Sequence, residues 1–468
     1  MKHVPLQAGF AALVLALFGS CAKNEPSITN EAELRDAVKA GKNLIRLPVG
    51  VIELHSEITI PSSAKGMAIE GQGASSVIRL ANDFNGRAAF VITGASAIEF
   101  RHLSLNGNRK ALAEPAGLPP SDVAFVNFTK DNGILAEKVD GLNIRNAMFV
   151  EFAGFPVIAA ASRNVWIEKS RFEDSGSRNA ANKNNTTGGV LFEEGTDDFV
   201  VKDSQFRRIE GNAVWTHSLY TSERNSNGRI IGNRFETIGR DAIQIGHATN
   251  CLVERNTGTE IGFPQDIVDY DSGAIGVGID TAGNVDKTVY ADNLFTEING
   301  KCIDLDGFHH GDVRGNTCIN RRPVDAFYFP GYGIVMNNTN PDMKPEHVRI
   351  TKNVIEGMHF GAIFIIGENN EVTNNQLSDL NRRHCDGKMT TPGCAYAPDQ
   401  PDLLRSGIYI GAKAERAAPA RGNRIEGNEV SGYQMEKFCV VAGPGVKLAD
   451  NTVRNNECEN EESPIPAN

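Results

Sequence analysis

Apolar and polar residues alternate in short runs along most of this chain, and one six-residue unit keeps returning. It is an apolar residue, two further residues, Asn or Ser, one residue, and a second apolar residue. It reads Ile167-Glu168-Lys169-Ser170-Arg171-Phe172, then Val201 to Phe206 around Ser204, then Ile230 to Phe235 around Asn233. Later copies place Asn at 256, 293, 316, 353, 375, 428 and 451, with Asn146 a shifted early copy. The shortest steps cluster at 22–24 residues, and the longer ones are that unit with an insertion. A recurring period of this length with two-residue alternation predicts a solenoid of stacked strands. Each unit holds three short strands and almost no amphipathic helix, which excludes leucine-rich, ankyrin and tetratricopeptide repeats. Asn suits the turn: it tolerates a left-handed backbone, and its amide both donates and accepts. Amides stacked at about 4.8 Å per rung bond one another as a ladder. The alternative, Asn marking turns in an antiparallel sandwich, fits a long series of equivalent steps poorly.

The beginning of the repeat fits the same picture. Residues 30–40 place Leu34, Ala37 and Val38 on one helical face, suited to plugging the open end of a strand stack. Short apolar strands follow from Leu44, ending in Met67-Ala68-Ile69-Glu70-Gly71-Gln72-Gly73. From about residue 44 to 456 the chain resembles the pectate-lyase-like superfamily. That resemblance implies an all-β, right-handed parallel β-helix with a short N-terminal capping helix. The segment Asn164-Val165-Trp166-Ile167-Glu168-Lys169-Ser170 is similar to the V-W-I-D-H segment of pectate lyases. Glu168 and Lys169 stand where that segment has Asp-His, so the likeness bears on architecture and not on lyase chemistry.

In that superfamily the Asn turn joins the second and third strands, and the first strand of the next coil lines the substrate cleft. Carried over, this makes 190–193, 214–217, 243–247, 275–279, 303–306, 334–337, 363–366 and 408–411 the cleft sheet. With Ile and Val turned inward, the outward pairs are Leu191/Glu193, Trp215/His217, Gln244/Gly246, Gly276/Gly278, Asp304/Asp306, Val335/Asn337, Phe364/Ile366 and Tyr409/Gly411. Gly276 and Gly278 are then expected to leave one rung as a bare floor. Asp304 and Asp306 edge it on one side and Gln244 with His247 on the other. Trp215 towards one end, and Phe364 and Tyr409 towards the other, are expected as stacking surfaces for a sugar chain lying along the rungs.

Asp304 and Asp306 have Cα atoms about 6.6 Å apart on a strand, compatible with an inverting pair of carboxyl groups. Two close carboxyls also push their pKa values apart, one for acid and one for base duty. An outward Asp-x-Asp is equally compatible with a solvated edge or with a Ca²⁺ site. The loop carrying Asp266, Asp269, Tyr270 and Asp271 feeds the glycine rung and Asp280 leaves it, so further carboxylates are expected there, with Asp269 and Asp271 as candidate metal ligands. Arg321, Arg322, Asp325, Tyr328 and Tyr332 are placed to overhang Asp304, and His309-His310 follow the Asp pair directly. The insertions form two series, as walls do: 174–188, 262–272, 320–332 and 381–406 before the cleft strands, and 218–227, 338–346 and 413–422 after them. The stretch 182–188 reads as a flexible tip.

Three functions compete. A glycoside hydrolase uses Asp304 and Asp306 as its acid and base, aided by His247 and Asp280. The remaining candidates Gln244, Gly276, Gly278, Trp215, His217, His309, Asn337, Tyr332, Arg322 and Tyr409 then bind substrate, and no cofactor is required. The resemblance to polygalacturonase-type hydrolases extends only to clustered aspartates, since their adjacent Asp-Asp in the cleft, their Gly-His-Gly and their Arg-Ile-Lys have no copy here. A polysaccharide lyase or epimerase on uronate polymers needs Ca²⁺ or Arg to neutralise the uronate, plus a base, roles open to His247, Arg240, Arg322 and Tyr332 with the aspartates holding Ca²⁺. The outward column offers no Lys or Arg, which counts against it. A non-catalytic glycan-binding lipoprotein needs neither.

The 468 residues are 40% hydrophobic and 22% charged, which excludes collagen, bulk disorder and a multi-span membrane protein. A net charge of −11 leaves no basic footprint for nucleic acid and leans towards neutral glycans. Met1-Lys2-His3, the apolar run from Ala8 to Phe18, and Gly19-Ser20-Cys21 resemble a lipoprotein signal. This implies cleavage before Cys21 and lipid on that residue, although Phe18 stands where Leu is commoner. The expected layout is a signal peptide at 1–20, a tether at 21–29 and one β-helix domain at 30–468. The chain would be held by its lipid in a bacterial envelope, in the outer membrane or periplasm or exported to the surface, and act as a monomer. In an oxidising compartment Cys385 and Cys394 are the foremost disulfide pair, with Cys302–Cys318 and Cys439–Cys458 behind them and Cys251 left over. No C-x-x-C pair is present, which counts against cysteine ligation of a metal.

Overall fold

A computed structural model describes residues 28–115, 117–270, 275–329, 331–388, 393–394 and 399–461. The signal segment, Cys21 and Asp271 lie outside the described residues. The chain is a right-handed parallel β-helix, in which 40 strands join by parallel pairing into one continuous sheet. Helix α1 (Glu31–Lys39) is capped by the Asn30 side chain, which accepts from Glu33 N–H, and it buries Leu34, Ala37 and Val38 against the first coil.

Three columns of strands run along the stack, and their inward residues fill a continuous core of Ile, Val, Leu and Phe. Phe149, Phe172, Phe206 and Phe235 occupy one inward position on successive rungs, with ring centroids 4.7–5.1 Å apart. At the turn between the second and third columns, Ser170, Ser204, Asn233, Asn256, Asn293, Asn316, Asn353, Asn375, Asn428 and Asn456 form an unbroken buried file. Each backbone N–H donates to the side-chain oxygen of the next residue in that file. From Asn233 onward each amide nitrogen also donates to the next amide oxygen at 2.8–3.0 Å. The sequence expectation is corrected at both ends of this file. Asn146 is outside it, because Ala147 N–H is the donor to Ser170 Oγ. Asn451 belongs to a second file running Asn370, Asn423, Asn451, and Asn456 takes the place assigned to it.

The column facing the long loops contains β1 (Val190–Glu193), β2 (Val214–His217), β3 (Asp241–Thr249), β4 (Gly276–Asp286), β5 (Gly300–His309), β6 (Tyr332–Asn337), β7 (Ile363–Ile365) and β8 (Ile408–Ile410). Disulfides join Cys302 to Cys318, Cys385 to Cys394 and Cys439 to Cys458, and Cys251 is a buried free thiol. No helix of the described residues is long and apolar enough to cross a membrane.

Candidate active site

The register of the cleft sheet differs from the sequence expectation at one rung, and that rung decides the chemistry. Ile279, not Ile275, is level with Ile243 and Ile303. A four-residue slip in Ile275-Gly-Val-Gly-Ile279 preserves the two-residue alternation, so pattern alone cannot distinguish the two registers. Asp280 therefore stands beside Gln244 on one side and Asp304 on the other. Gly276 and Gly278 form no floor. A Cβ on Gly278 would strike Cys302 O and the inward Phe295 ring, and one on Gly276 would strike Gly262. One outward position further on, Ala282 is partly exposed; it pairs with Gly246, where a Cβ would strike Thr216 O, and in turn meets Asp306.

The outward line thus runs Leu191, Trp215, Gln244, Asp280, Asp304, Val335, Phe364, Tyr409. Its centre is chemically dense. Gln244 donates from Nε2 to Asp280 Oδ2 at 2.5 Å and accepts from Asn212 Nδ2 at 2.7 Å, which fixes its amide orientation. Lys301, level with Asp241 and Val277 at the start of the strands, turns its ammonium onto Asp304 Oδ2. Asp241 comes in from the same end, buried, with Arg240 Nε 3.5 Å from its Oδ2. Asp304 is 7% exposed, yet its Oδ1, like Asp241 Oδ2, has no hydrogen-bond partner. Buried carboxylate oxygens are costly to leave unpaired, so each calls for a partner that the described residues do not supply.

Electrostatics separate the members. Burial, followed by Asp241 and Asp304 as like charges, pushes the Asp280 carboxyl well above the usual range. Burial likewise raises Asp241 to about 7, against the opposing pull of Arg240. Burial works against the charge of Lys301, but Asp304, with Asp280 and Asp306, outweighs it and holds the ammonium above its ordinary value. Asp280 keeps partial solvent contact while crowded by protein, as a residue on a cleft floor does. The other half of the expected Asp-x-Asp pair is differently employed: Asp306 accepts from Thr339 N–H at 2.9 Å and Thr339 Oγ1 at 2.7 Å, one bond to each oxygen, and so anchors the 338–346 loop.

The remaining expected site residues divide. His247 sits at the bulge after Gly246, tilted against Tyr220 at 4.9 Å, its Nδ1 buried without a partner and its pKa lowered by burial and then by Arg224. His217 Nδ1 lies 2.9 Å from Glu193 Oε1, and the Glu193 carboxylate also accepts from Phe125 and Val126 N–H. Asn337, level with Asp306, accepts from Asn338 N–H. His309 lies at the far end of β5, its Nδ1 3.2 Å from Gly307 O.

Several placements are corrected. Trp215, 6% exposed, is packed under Phe125 at 4.8 Å, so it is not an open stacking surface. Phe364 and Tyr409 are 6% and 0% exposed and lie over Gly411 and Gly443. Tyr332 is buried level with Lys301 and donates to Leu403 O, so it does not overhang Asp304. Arg322 reaches the opposite way, to Glu260 Oε1 at 2.5 Å and over the Phe263 ring. Residues 184–187 form no flexible tip: they are buried, and Asn184 Nδ2 holds Glu210 O and Gly239 O. The outward line itself carries no cation, but Lys301 reaches it from the strand start. Asp241 and Lys301 escaped sequence reasoning because they precede the alternating segment and were counted as loop.

For a metal, two groups of the described residues bring their ligand atoms within 4.8 Å of one another: Glu193, Glu194, His217, and His310, Glu346, His347. Asp269 joins neither; its carboxylate accepts from Asn179 Nδ2 and its N–H donates to Asn184 Oδ1. The Asp241, Asp280 and Asp304 oxygens do not converge that closely, and Lys301 already supplies a cation there.

No family model matches the chain, and no curated protein matches it in sequence. Solved structures match across nearly its whole length. DFA-IIIase from Arthrobacter chlorophenolicus A6, in complex with DFA-III, is 13% identical over 91% of this chain and 94% of its own, with a TM-score of 0.50. The surface adhesin PfbA of Streptococcus pneumoniae is 11% identical over 93% and 92%, TM-score 0.48. The A-module of the Azotobacter vinelandii mannuronan C-5 epimerase AlgE6 is 12% identical over 92% and 95%, TM-score 0.45. At these identities the likeness is one of fold.

Proposed function

We propose that the chain is a glycoside hydrolase acting on a neutral glycan, with Asp280 as general acid and Asp304 as general base. The observation that carries this reading is the pair of dissimilar carboxyls on adjacent rungs: Asp280 is driven towards its protonated form, and Asp304 faces the Lys301 ammonium. Asp304 takes a proton from water as that oxygen attacks the anomeric carbon. Asp280 gives its proton to the departing glycosidic oxygen, so charge and protons balance. Asp241 keeps Asp280 protonated, and Gln244 orients it. Compared with the sequence expectation, Asp280 takes the place of Asp306 in the acid–base pair. With Asp280 protonated, Asp304, Asp306 and a part-ionised Asp241 offset Lys301 and Arg240, so the strip has no net positive charge to hold a uronate, which supports a neutral substrate.

Lys301, beside the Arg240 that the sequence already offered, gives a lyase or epimerase a further cation, so the test includes that outcome. A glycan panel is digested with the mature protein and read for new reducing ends and for ultraviolet absorbance. New ends without absorbance, lost in Asp280→Asn and in Asp304→Asn, support the hydrolase; absorbance on uronate polymers replaces it with a lyase.

We further propose that the protein is exported and lipid-anchored at Cys21. The apolar run from Ala8 to Phe18 followed by Gly19-Ser20-Cys21, and the three disulfides, support this. Loss of metabolic lipid labelling in Cys21→Ala is the expected result.

A further inference from the structure

The outward face is open over only a few rungs. At one end its apolar residues, Leu135, Ile158, Leu191 and Trp215, are sealed under a second hydrophobic cluster built by Phe125 and Val126 of an insertion. The Glu193 carboxylate fastens that insertion by accepting both of its N–H groups. At the other end Phe364 and Tyr409 are buried, and the 412–418 turn is tied to the 338–346 loop through Asn338 and Arg416. What remains partly exposed is Asp280 and Val335, with Ala282, Asp306 and Asn337 beside them, and Gln244 and Asp304 are buried next to them. That is three rungs, about 10 Å from first to last.

The long sides are walled as well. Where the strands begin, the loops are laced to one another: Lys183 Nζ to Asp266 O, Gln265 Nε2 to Ala326 O, Arg383 Nη2 to Phe327 O. Where they end, Asn340 Nδ2 donates to the Tyr220 hydroxyl at 2.6 Å, bridging β2 and β6 across the intervening rungs. The exposed aromatics Tyr220 and Tyr328 stand on these two rims, Tyr328 stacked on Tyr270 at 4.4 Å.

We infer that the site is a pocket and not a groove, and that its substrate is the end of a glycan chain or a short oligosaccharide, about three rings at one ring per rung. A chain interior would have to pass through Trp215 at one end or Tyr409 at the other, and both are packed as core. The inference rests on the hydrolase reading for the word substrate; the pocket itself rests on burial alone.

The test uses the most responsive glycan of the panel, as polymer and as a ladder of oligomers. With the wild-type protein, one short product from the earliest times and polymer viscosity falling only in step with released sugar support the pocket. Early collapse of viscosity with mid-length products overturns it and leaves the hydrolase standing. Calorimetric binding of the oligomers to Asp280→Asn needs no turnover. Affinity that levels off at about three rings supports the pocket even if the wild type cuts nothing, in which case only the hydrolase fails. Affinity still climbing beyond about five rings, or no binding to any oligomer, overturns the pocket.

Discussion

The asparagine file and the carboxylate strip lie on the same coils and obey opposite rules. In the file every rung repeats its neighbour, and each amide oxygen and nitrogen is satisfied by the rung beside it. In the strip the rungs differ: Trp, Gln, two Asp in unlike surroundings and Val follow one another, and two buried carboxylate oxygens stay unpaired. The file spends its polar groups on holding coils in register, whereas the strip keeps its own unspent. Parallel stacking makes both possible, since one backbone geometry presents either a ladder or a set of differing neighbours. Cost marks the difference: unsatisfied oxygens and crowded acids destabilise a fold, and are kept where a ligand is to complete them.

The largest effect expected on this contrast comes from Asp280→Asn. Turnover should fall at least about 10²-fold with the melting temperature kept or raised, because a buried ionisable group is replaced by a neutral isostere. A variant that keeps its rate breaks the contrast. Asn316→Ala should do the reverse. It strips partners from Asn293 N–H and Nδ2 and from Tyr290 O, a loss of about 3 kcal/mol or more in denaturant unfolding. The rate per folded molecule should stay as it was.

The third expectation concerns pH. Asp241 is raised from 3.8 to about 7 in the folded chain, and Asp280 is raised too, so the folded state binds protons that the unfolded state releases. Stability should therefore fall as pH climbs from about 4 to about 7. Asp241→Asn should flatten that slope, which thermal unfolding across the window would reveal; an unchanged slope would separate Asp241 from the strip. Thr339→Val, freeing Asp306 and slackening one wall, should weaken substrate affinity by up to about tenfold with little change in kcat, the worth of about 1.4 kcal/mol. Arg322→Ala should be the mildest. Its partly exposed ion pair with Glu260 is worth less than about 1 kcal/mol in stability and nothing in rate.

This contrast also explains what could be read from the chain. The file was legible because Asn recurs where a left-handed, doubly bonding turn is required, and a repeat advertises itself. The helix α1, the three columns and the inward Ile and Val followed from periodicity. Asp304 and Gln244 were legible as outward residues for the same reason. The neighbour between them was not, because Gly276 and Asp280 share one parity and only three-dimensional pairing selects the register. Burial of Trp215 and Tyr409 was hidden too: a strand pattern says which face a ring leaves from, not which distant insertion settles upon it. Lys301 and Asp241 sit before the alternation begins, where a strand start bends its side chains towards the acids.

Helix α1 carries a consequence of its own. A stack of parallel strands ends in a row of backbone donors and acceptors with nothing to bond, the template on which one copy adds to another. By laying Leu34, Ala37 and Val38 across that terminus, nine residues forbid end-to-end growth. Without them the same coils would be a seed for filaments.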